Sequence, residues 1–388
     1  MEKQSLFDYI DTIGPDLCRM SDQIFDYSEL SMEEVKSSAL LADYLEQRGF
    51  TVERRIADLP AAFRAVYKHG NGGVRIGLLA EYDALPVIGH GCGHHMQGPA
   101  VVGAVMAVKN CFQERPYELV VYGTPAEETV GGKIIMKDHG CFQDIDIALM
   151  MHPGPTTCTD NKCMALENFR VTFHGVSSHA AIAPDQGRSA LDAALLSFHA
   201  IEMMREHVKD DTRMHYTILD GGGAPNVVPD YAVAEYTLRS YNTNYLNTIV
   251  DRFRDIIKGA CLMSGTTSTI ERDLPFQSKI PCPILNETLM ENARLANAPC
   301  IREAREKTGS TDFGNVSFDV PGACIRIAFV PEGSAAHSQV FVDAGKTAAA
   351  HTAVTSSAKI LAGACCDLIA VEGLYERVRE EFWVNKQK

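Results

Sequence analysis

Val74-Arg75-Ile76-Gly77-Leu78-Leu79-Ala80-Glu81-Tyr82-Asp83-Ala84-Leu85-Pro86 begins as an apolar run and ends as an acidic turn. Residues 74–79 have the character of a buried strand, and Gly70-Asn71-Gly72-Gly73 marks the turn leading into it. Directly beyond the acids comes His90-Gly91-Cys92-Gly93-His94-His95. Further on, Pro125-Ala126-Glu127-Glu128 follows a second apolar run, 118–123. Borderline ligands (Cys, His) and hard ones (Asp, Glu) thus gather on glycine-rich turns just past buried strands. A cleft that holds transition-metal ions and activates water needs that arrangement.

Outward from this stretch, strand and helix periods alternate. Residues 62–67 read as a strand, 98–115 as an Ala- and Val-rich helix, 118–123 as a strand, 131–139 as a helix and 145–151 as a strand ending on His152-Pro153. Upstream, 5–49 carries helical spacing that stops at Gly49. Active residues at strand C-terminal ends belong to the grammar of an open α/β sheet. Then the period changes. A strand over 166–174, a helix over 187–207, strands over 214–220 and 227–240, a helix over 243–262 and a strand over 267–274 follow the ferredoxin-like order. After Pro281 and Pro283 the first grammar returns, with a helix at 287–297, a strand at 324–329 and a long Ala-rich helix at 343–370. The expected fold class is α/β. An open, mostly parallel sheet forms the catalytic domain, 1–165 and 278–388, and an α+β ferredoxin-like domain, 166–277, is inserted into it. A length of 388 residues also favours two cores over one.

The net charge of -14 repels nucleic acid and anionic lipid, so neither is an expected partner. No apolar run reaches the roughly 18–20 residues of a membrane span, and Met1-Glu2-Lys3-Gln4-Ser5 lacks the features of a secretory leader. The twelve cysteines include no Cys-x-x-Cys pair and read as reduced, mostly buried thiols in a cytoplasmic protein.

Cys92 stands apart because of its neighbours. Alone it would be a small buried hydrophobe, and His94 alone a hydrogen-bonded core histidine. Together, in a glycine-rich loop beside Asp83, they are better read as metal ligands. His152 closes a buried strand, and His337 lies in a small-residue loop, 333–338; each is a candidate ligand or an ordinary loop histidine. In Glu127-Glu128 one carboxylate can ligate while its neighbour moves a proton. A bound metal can lower the pKa of water from about 16 to about 7.

The combined motifs resemble the di-metal amidohydrolases and peptidases that include aminoacylase, bacterial glutamate carboxypeptidase and hippurate hydrolase. The Ala-Glu-Tyr-Asp-Ala-Leu-Pro and Gly-His-x-Cys-Gly-His run is most similar to the aminobenzoyl-glutamate hydrolase and dipeptidase branch. The resemblance extends over nearly the whole chain. It implies two divalent transition-metal ions, Zn or Mn with Co as a further option. Cys92 is then the shared ligand, and His94, Glu128, His152 and His337 are the remaining ones; the resemblance leaves their division open, and our own assignment puts His94 and His152 on one metal and Glu128 and His337 on the other. It implies Glu127 as general base and acid, and Asp83 as the carboxylate that orients a ligand histidine. The inserted domain, through Phe173–Ala181 and Gly221–Asp230, resembles the family's lid and dimerisation domain. There His179 would polarise the scissile carbonyl, Asn226 would donate to substrate and Arg239 would grip a carboxylate bidentately. Ser310, in Gly309-Ser310-Thr311-Asp312-Phe313, is a further substrate contact. A homodimer through the lid is implied.

Two positions depart from the family's usual pattern, Glu81 and His95. Glu81 points to the aminobenzoyl-glutamate branch; His95 could bind water, tune a ligand or shift substrate choice. The expected activity is metal-dependent hydrolysis of an amide bond beside a free carboxylate, in an N-acyl amino acid, an aminobenzoyl-glutamate-like conjugate or a dipeptide. A hydrolytic deaminase of aromatic amines, a non-catalytic metal-binding relative and a closed structural zinc site are the alternatives. The spread-out, mixed ligand set speaks against the last.

Overall fold

The computed structural model describes residues 3–306 and 308–388. Its strands are β1 (Thr51–Arg54), β2 (Phe63–His69), β3 (Val74–Ala80), β4 (Tyr117–Gly123), β5 (Ile147–Gly154), β6 (Cys158–Thr159), β7 (Ala165–His174), β8 (Arg213–Asp220), β9 (Tyr231–Ser240), β10 (Thr267–Arg272) and β11 (Gly322–Ala328). Its helices are α1 (Gln4–Tyr27), α2 (Val35–Glu46), α3 (Gln97–Cys111), α4 (Gly132–Asp138), α5 (Ala190–Arg205), α6 (Thr243–Ser264), α7 (Pro283–Leu295), α8 (Phe313–Asp319), α9 (Gln339–Ala344), α10 (Ala348–Ala370) and α11 (Leu374–Lys386). They fall into two units, one running up to Cys163 and resuming over Lys279–Lys388, the other Met164–Ser278.

In the first unit the sheet order is β1-β2-β4-β3-β5-β11-β6. The four central strands, β4-β3-β5-β11, are mutually parallel, while the marginal pairings β1 with β2, β2 with β4 and β6 with β11 are antiparallel. Every residue of β4 is buried, and β3 exposes only Arg75. Their unbroken apolar sequence therefore matches a parallel sheet covered on both faces. On one side α1, α3, α7 and α10 enclose the main core. On the other, α4 and α8 pack with Ile56, Phe142 and Phe313 over a smaller cluster. From β3 the chain crosses to β4 on one side and then to β5 on the other. The strand order reverses at β3, which opens a crevice beyond the C-terminal ends of β3, β4 and β5.

Helix α10 is long and apolar enough to cross a membrane by length and composition, yet most of it is buried against α1, α3 and α7. Small residues permit that approach. A Cβ at Gly103 of α3 would lie 2.6 Å from Leu17 of α1 and 2.9 Å from Ala358 of α10.

Several boundaries differ from the sequence expectation. His152 and Pro153 lie inside β5, because β11 pairs alongside through Ile327↔Pro153 and Ala328↔Gly154. The helix expected over 343–370 is two, divided where Thr347 caps α10 by accepting the Ala350 N–H. The strand expected from 227 starts at Tyr231, since Pro225 and Pro229 hold 227–230 out of the ladder.

The second unit is one antiparallel sheet, β10-β7-β9-β8, with α5 and α6 packed on it. Strand β7 alternates buried and more exposed residues, as a sheet covered on one face requires. Ser189 and Asn242 cap the two helices by accepting the N–H of Asp192 and Tyr245.

Gly103→Leu should overpack the meeting point of α1, α3 and α10 and destabilise the chain by about 1–3 kcal/mol. Urea unfolding should show a lower midpoint with an unchanged slope.

Candidate metal and catalytic site

Each arm of the site leaves the C-terminal end of a parallel strand. Beyond β3, Glu81 and Asp83 are buried, while Tyr82 is packed into the main core with its hydroxyl donating to the Ala61 carbonyl. Asp83 is the junction. It accepts from His94 Nδ1 at 2.9 Å, from Ser31 Oγ at 2.8 Å and from the Glu128 N–H at 3.0 Å. Burial alone would raise its pKa, but His94 and those donors outweigh it and hold the carboxylate at about 2. With Nδ1–H committed to Asp83, the other nitrogen of His94 is left for a cation.

Gly93, at φ +84°, turns the chain between Cys92 and His94 in the left-handed region that favours glycine. The site side of Gly93 is filled by Pro153, which a Cβ there would meet at 2.9 Å. Cys92 Sγ thereby comes within 3.6 Å of His152 Nε2. His152 Nδ1 lies 2.8 Å from the Pro153 carbonyl and 3.2 Å from the Arg326 guanidinium. The carbonyl accepts only, so Nδ1–H belongs to it and Nε2 stays bare on the cysteine side. Burial, then the Arg326 charge, pushes the His152 pKa down to about 3 and keeps the ring neutral. Arg326 is itself held by Asp160 at 3.0 Å.

Beyond β4, Ala126 has φ +61°, an uncommon conformation for a residue with a Cβ, and its N–H donates to Glu34 at 2.7 Å. Glu128 Oε1 lies 3.9 Å from His94 Nε2 and 3.3 Å from His337 Nε2. His337 also has a positive φ, +59°, and its N–H bonds the Gly91 carbonyl at 2.9 Å, which ties its loop to the cysteine loop. The ligand atoms of Cys92, His94 and His152 all lie within 4.8 Å of one another, and so do those of Cys92, Glu128 and His337. Glu127 lies within the same distance of His94 and Glu128.

Two atoms test whether these residues fit a metal. His94 Nε2 and Glu128 Oε1 are both buried without a hydrogen-bond partner among the described residues, an arrangement that costs free energy unless a cation takes up both. A thiol, three imidazoles and a carboxylate form a mixed set suited to a borderline transition ion. The residues fit the group.

Lys133 and Asp312 belong to the same site, although neither is among the residues the motifs single out. Lys133 is fully buried, 2.5 Å from Glu81 Oε1 and 2.7 Å from Asp312 Oδ1. Oxygens of Glu81, Glu127 and Asp312 lie within 4.8 Å of one another. Burial, then Glu81 and Asp312, raises the Glu127 pKa well above the usual carboxylate range. The local hint is the glycine pair Gly131-Gly132, three residues past Glu128, while nothing beside Lys133 points to Asp312. His95, by contrast, belongs to none of the candidate ligand clusters among the described residues. Its Nε2–H donates to the Gly345 carbonyl at 2.9 Å, and Phe25 packs edge-on at 4.9 Å. Ser310 Oγ, two residues before Asp312, is buried with no hydrogen-bond partner among the described residues.

In the second unit, exposed His179 and Asn226 stand on adjoining loops, with His179 bridged to Val227 and the Ala180 N–H donating to the Asn226 carbonyl. Arg239 does not join them. It sits near the far end of β9, about 26 Å from Tyr231 at the rise of a strand, paired with Leu166 and Arg213.

Asp83→Asn keeps the shape but weakens the grip on His94. Metal affinity, measured by competition with a chromophoric chelator, should fall by about 10–100-fold. Unchanged affinity would remove Asp83 from the orienting role.

Residues 166–262 match the peptidase dimerisation domain of the M20 family. The whole chain aligns with the Xaa-Arg dipeptidase of Mus musculus at 31% identity, covering 93% of that protein. One of the p-aminobenzoyl-glutamate hydrolase subunits of Escherichia coli K12 is 32% identical over 93% of this chain and 91% of its own length. Among solved structures, a dinuclear metal-binding peptidase of the M20 family from Bacillus subtilis superposes with a TM-score of 0.69 at 18% identity, over 90% of this chain and 99% of that one. With 93% or more of its length aligned to these relatives above thirty per cent identity, the chain belongs to the M20 family of peptidases and amidohydrolases, near its dipeptidase and aminobenzoyl-glutamate hydrolase branch.

Proposed function

We propose that this hydrolase cleaves an amide bond beside a free carboxylate, in an N-acyl amino acid, an aminobenzoyl-glutamate-like conjugate or a dipeptide. Two divalent ions would be held by Cys92, His94, Glu128, His152 and His337, with Cys92 common to both. Zn, Mn and Co all suit this donor set. The observation that carries the reading is the pair of ligand triplets sharing Cys92, with the Glu127 carboxylate beside them.

When bound, the ions supply Lewis-acid polarisation of the carbonyl and a more acidic water. The chain does the rest. Asp83 fixes the His94 ring, and the Pro153 carbonyl fixes the tautomer of His152. Glu127, its proton affinity raised by burial and two neighbouring acids, takes a proton from the attacking water and delivers it to the leaving nitrogen as the C–N bond breaks. Water oxygen ends on the acyl carbon, so the products are a carboxylate and an amine. His179 would polarise the scissile carbonyl from a partner copy, Asn226 would donate to substrate, Arg239 would serve as the carboxylate grip and Ser310 as a lesser contact. The match to a dimerisation domain supports a homodimer.

Turnover of N-acyl amino acids, aminobenzoyl-glutamate and dipeptides, each run with and without chelator, tests this. A carboxylate plus an amine is expected, lost on chelation and restored by metal. Free ammonia with the remainder intact would point to a deaminase instead. Glu127→Gln should cut kcat by about 10²–10⁴-fold with metal content unchanged; full activity in that variant would sink the assignment.

A further inference from the structure

We propose that Lys133 is the positioning residue for Glu127, an internal cation that holds three crowded carboxylates in one arrangement. The inference rests on Glu127 as the proton carrier.

The ammonium bonds Glu81 Oε1 at 2.5 Å and Asp312 Oδ1 at 2.7 Å. The second oxygen of each acid is committed as well. Glu81 Oε2 accepts from Gln97 Nε2 at 2.7 Å, and Asp312 Oδ2 accepts from the Lys133 N–H at 3.0 Å. Glu81 and Asp312 are thereby bolted at both ends. Glu127 lies outside these bonds but within 4.8 Å of both acids. Lys133 thus ties together three segments: the one after β3, the one after β4 and the one before α8.

The backbone is built to deliver this lysine. Gly131, at φ +68°, and Gly132 both donate their N–H to the Ala126 carbonyl, at 3.0 and 3.3 Å. A Cβ at Gly132 would stand 1.9 Å from the Pro125 carbonyl oxygen, so no other residue fits there. The chain folds back on the segment that carries Glu127 and sets Lys133 against it.

Fold stability does not account for the arrangement. Buried ionic clusters are costly, and well-packed apolar side chains often replace them without loss. Here the cluster adjoins the proton carrier. Without the cation, three carboxylates would repel one another, and Glu127, the least tethered, would be the one to move.

The test uses the purified, metal-loaded full chain, with the substrate found by the turnover panel. Lys133→Met should melt as a folded protein and keep the parent's metal-to-chain ratio. Its kcat should fall by about 100-fold, the cost of roughly 1 Å of misplacement, with KM little changed. A crystal structure of it should show the Glu127 carboxylate displaced. Lys133→Met combined with Asp312→Asn removes one negative charge with the positive one and should recover at least about tenfold of kcat. Lys133→Arg, which keeps the charge, covers the case in which the methionine variant fails to fold, and should retain more activity than either. An unmoved Glu127, a near-normal kcat in the methionine variant, metal loss in step with activity, no recovery in the double variant, or an arginine variant as impaired as the methionine one would each overturn the proposal. If Glu127→Gln retains turnover, the proton-carrier reading fails on its own, and the displacement of Glu127 in the methionine variant still decides whether Lys133 positions it.

Discussion

A single buried carboxylate holds the site together. Asp83 accepts from an imidazole, a hydroxyl and a backbone amide at once, and those donors come from separate parts of the chain. Ser31 lies between the first two helices, His94 in the glycine loop and Glu128 beyond the neighbouring strand. An ionised carboxylate strengthens each of these bonds, and burial shields them from competing water. Because the same group fixes the tautomer of His94 and the backbone of Glu128, the two candidate ligands cannot be oriented independently. The sheet brings strand ends together; Asp83 converts that proximity into a defined geometry.

Around this junction the charges are arranged in opposition. Burial, with the charge of half-buried Arg326 added to it, keeps the His152 imidazole neutral, and Arg326 is anchored by Asp160. On the opposite flank Lys133 offsets Glu81 and Asp312. Neither cation is among the candidate ligands, yet each sets the electrostatic surroundings of the groups beside it. The positive backbone angles at Ala126 and His337 fit the same picture, since both belong to segments that aim side chains at the cleft from conformations uncommon for residues with a Cβ.

Much of this was legible from residue types and spacing. Continuous apolar runs marked the parallel strands, and the alternation around Phe169 marked the second sheet. The cysteine, histidines and acids at strand ends marked the site, because few other purposes put that mixture on glycine turns. What stayed hidden depended on distant partners. Strand β5 extends through Pro153 only because β11 lies alongside, and nothing local to His152 announces it. Lys133 reads as an ordinary helix-start lysine until the fold brings Asp312 to it. His95 looks like a ligand by position, but the ring turns to the Gly345 carbonyl, a partner no spacing could reveal. Arg239 and Asn226 are close in sequence, yet a strand's length separates their neighbourhoods.

The discontinuity of the first unit has a consequence for synthesis. Strand β11 lies against β5, but residues 164–278 form a unit of their own between them. As the chain leaves the ribosome, β5 presents an unpaired edge for the whole time the intervening residues are made. An uncovered parallel edge is a template for wrong partners. The intervening unit closes its own four-stranded sheet from local segments, so it can fold while the larger sheet waits. His337 emerges last of the five candidate ligands, and a nascent chain cannot assemble the full set until the loop beyond β11 has been made.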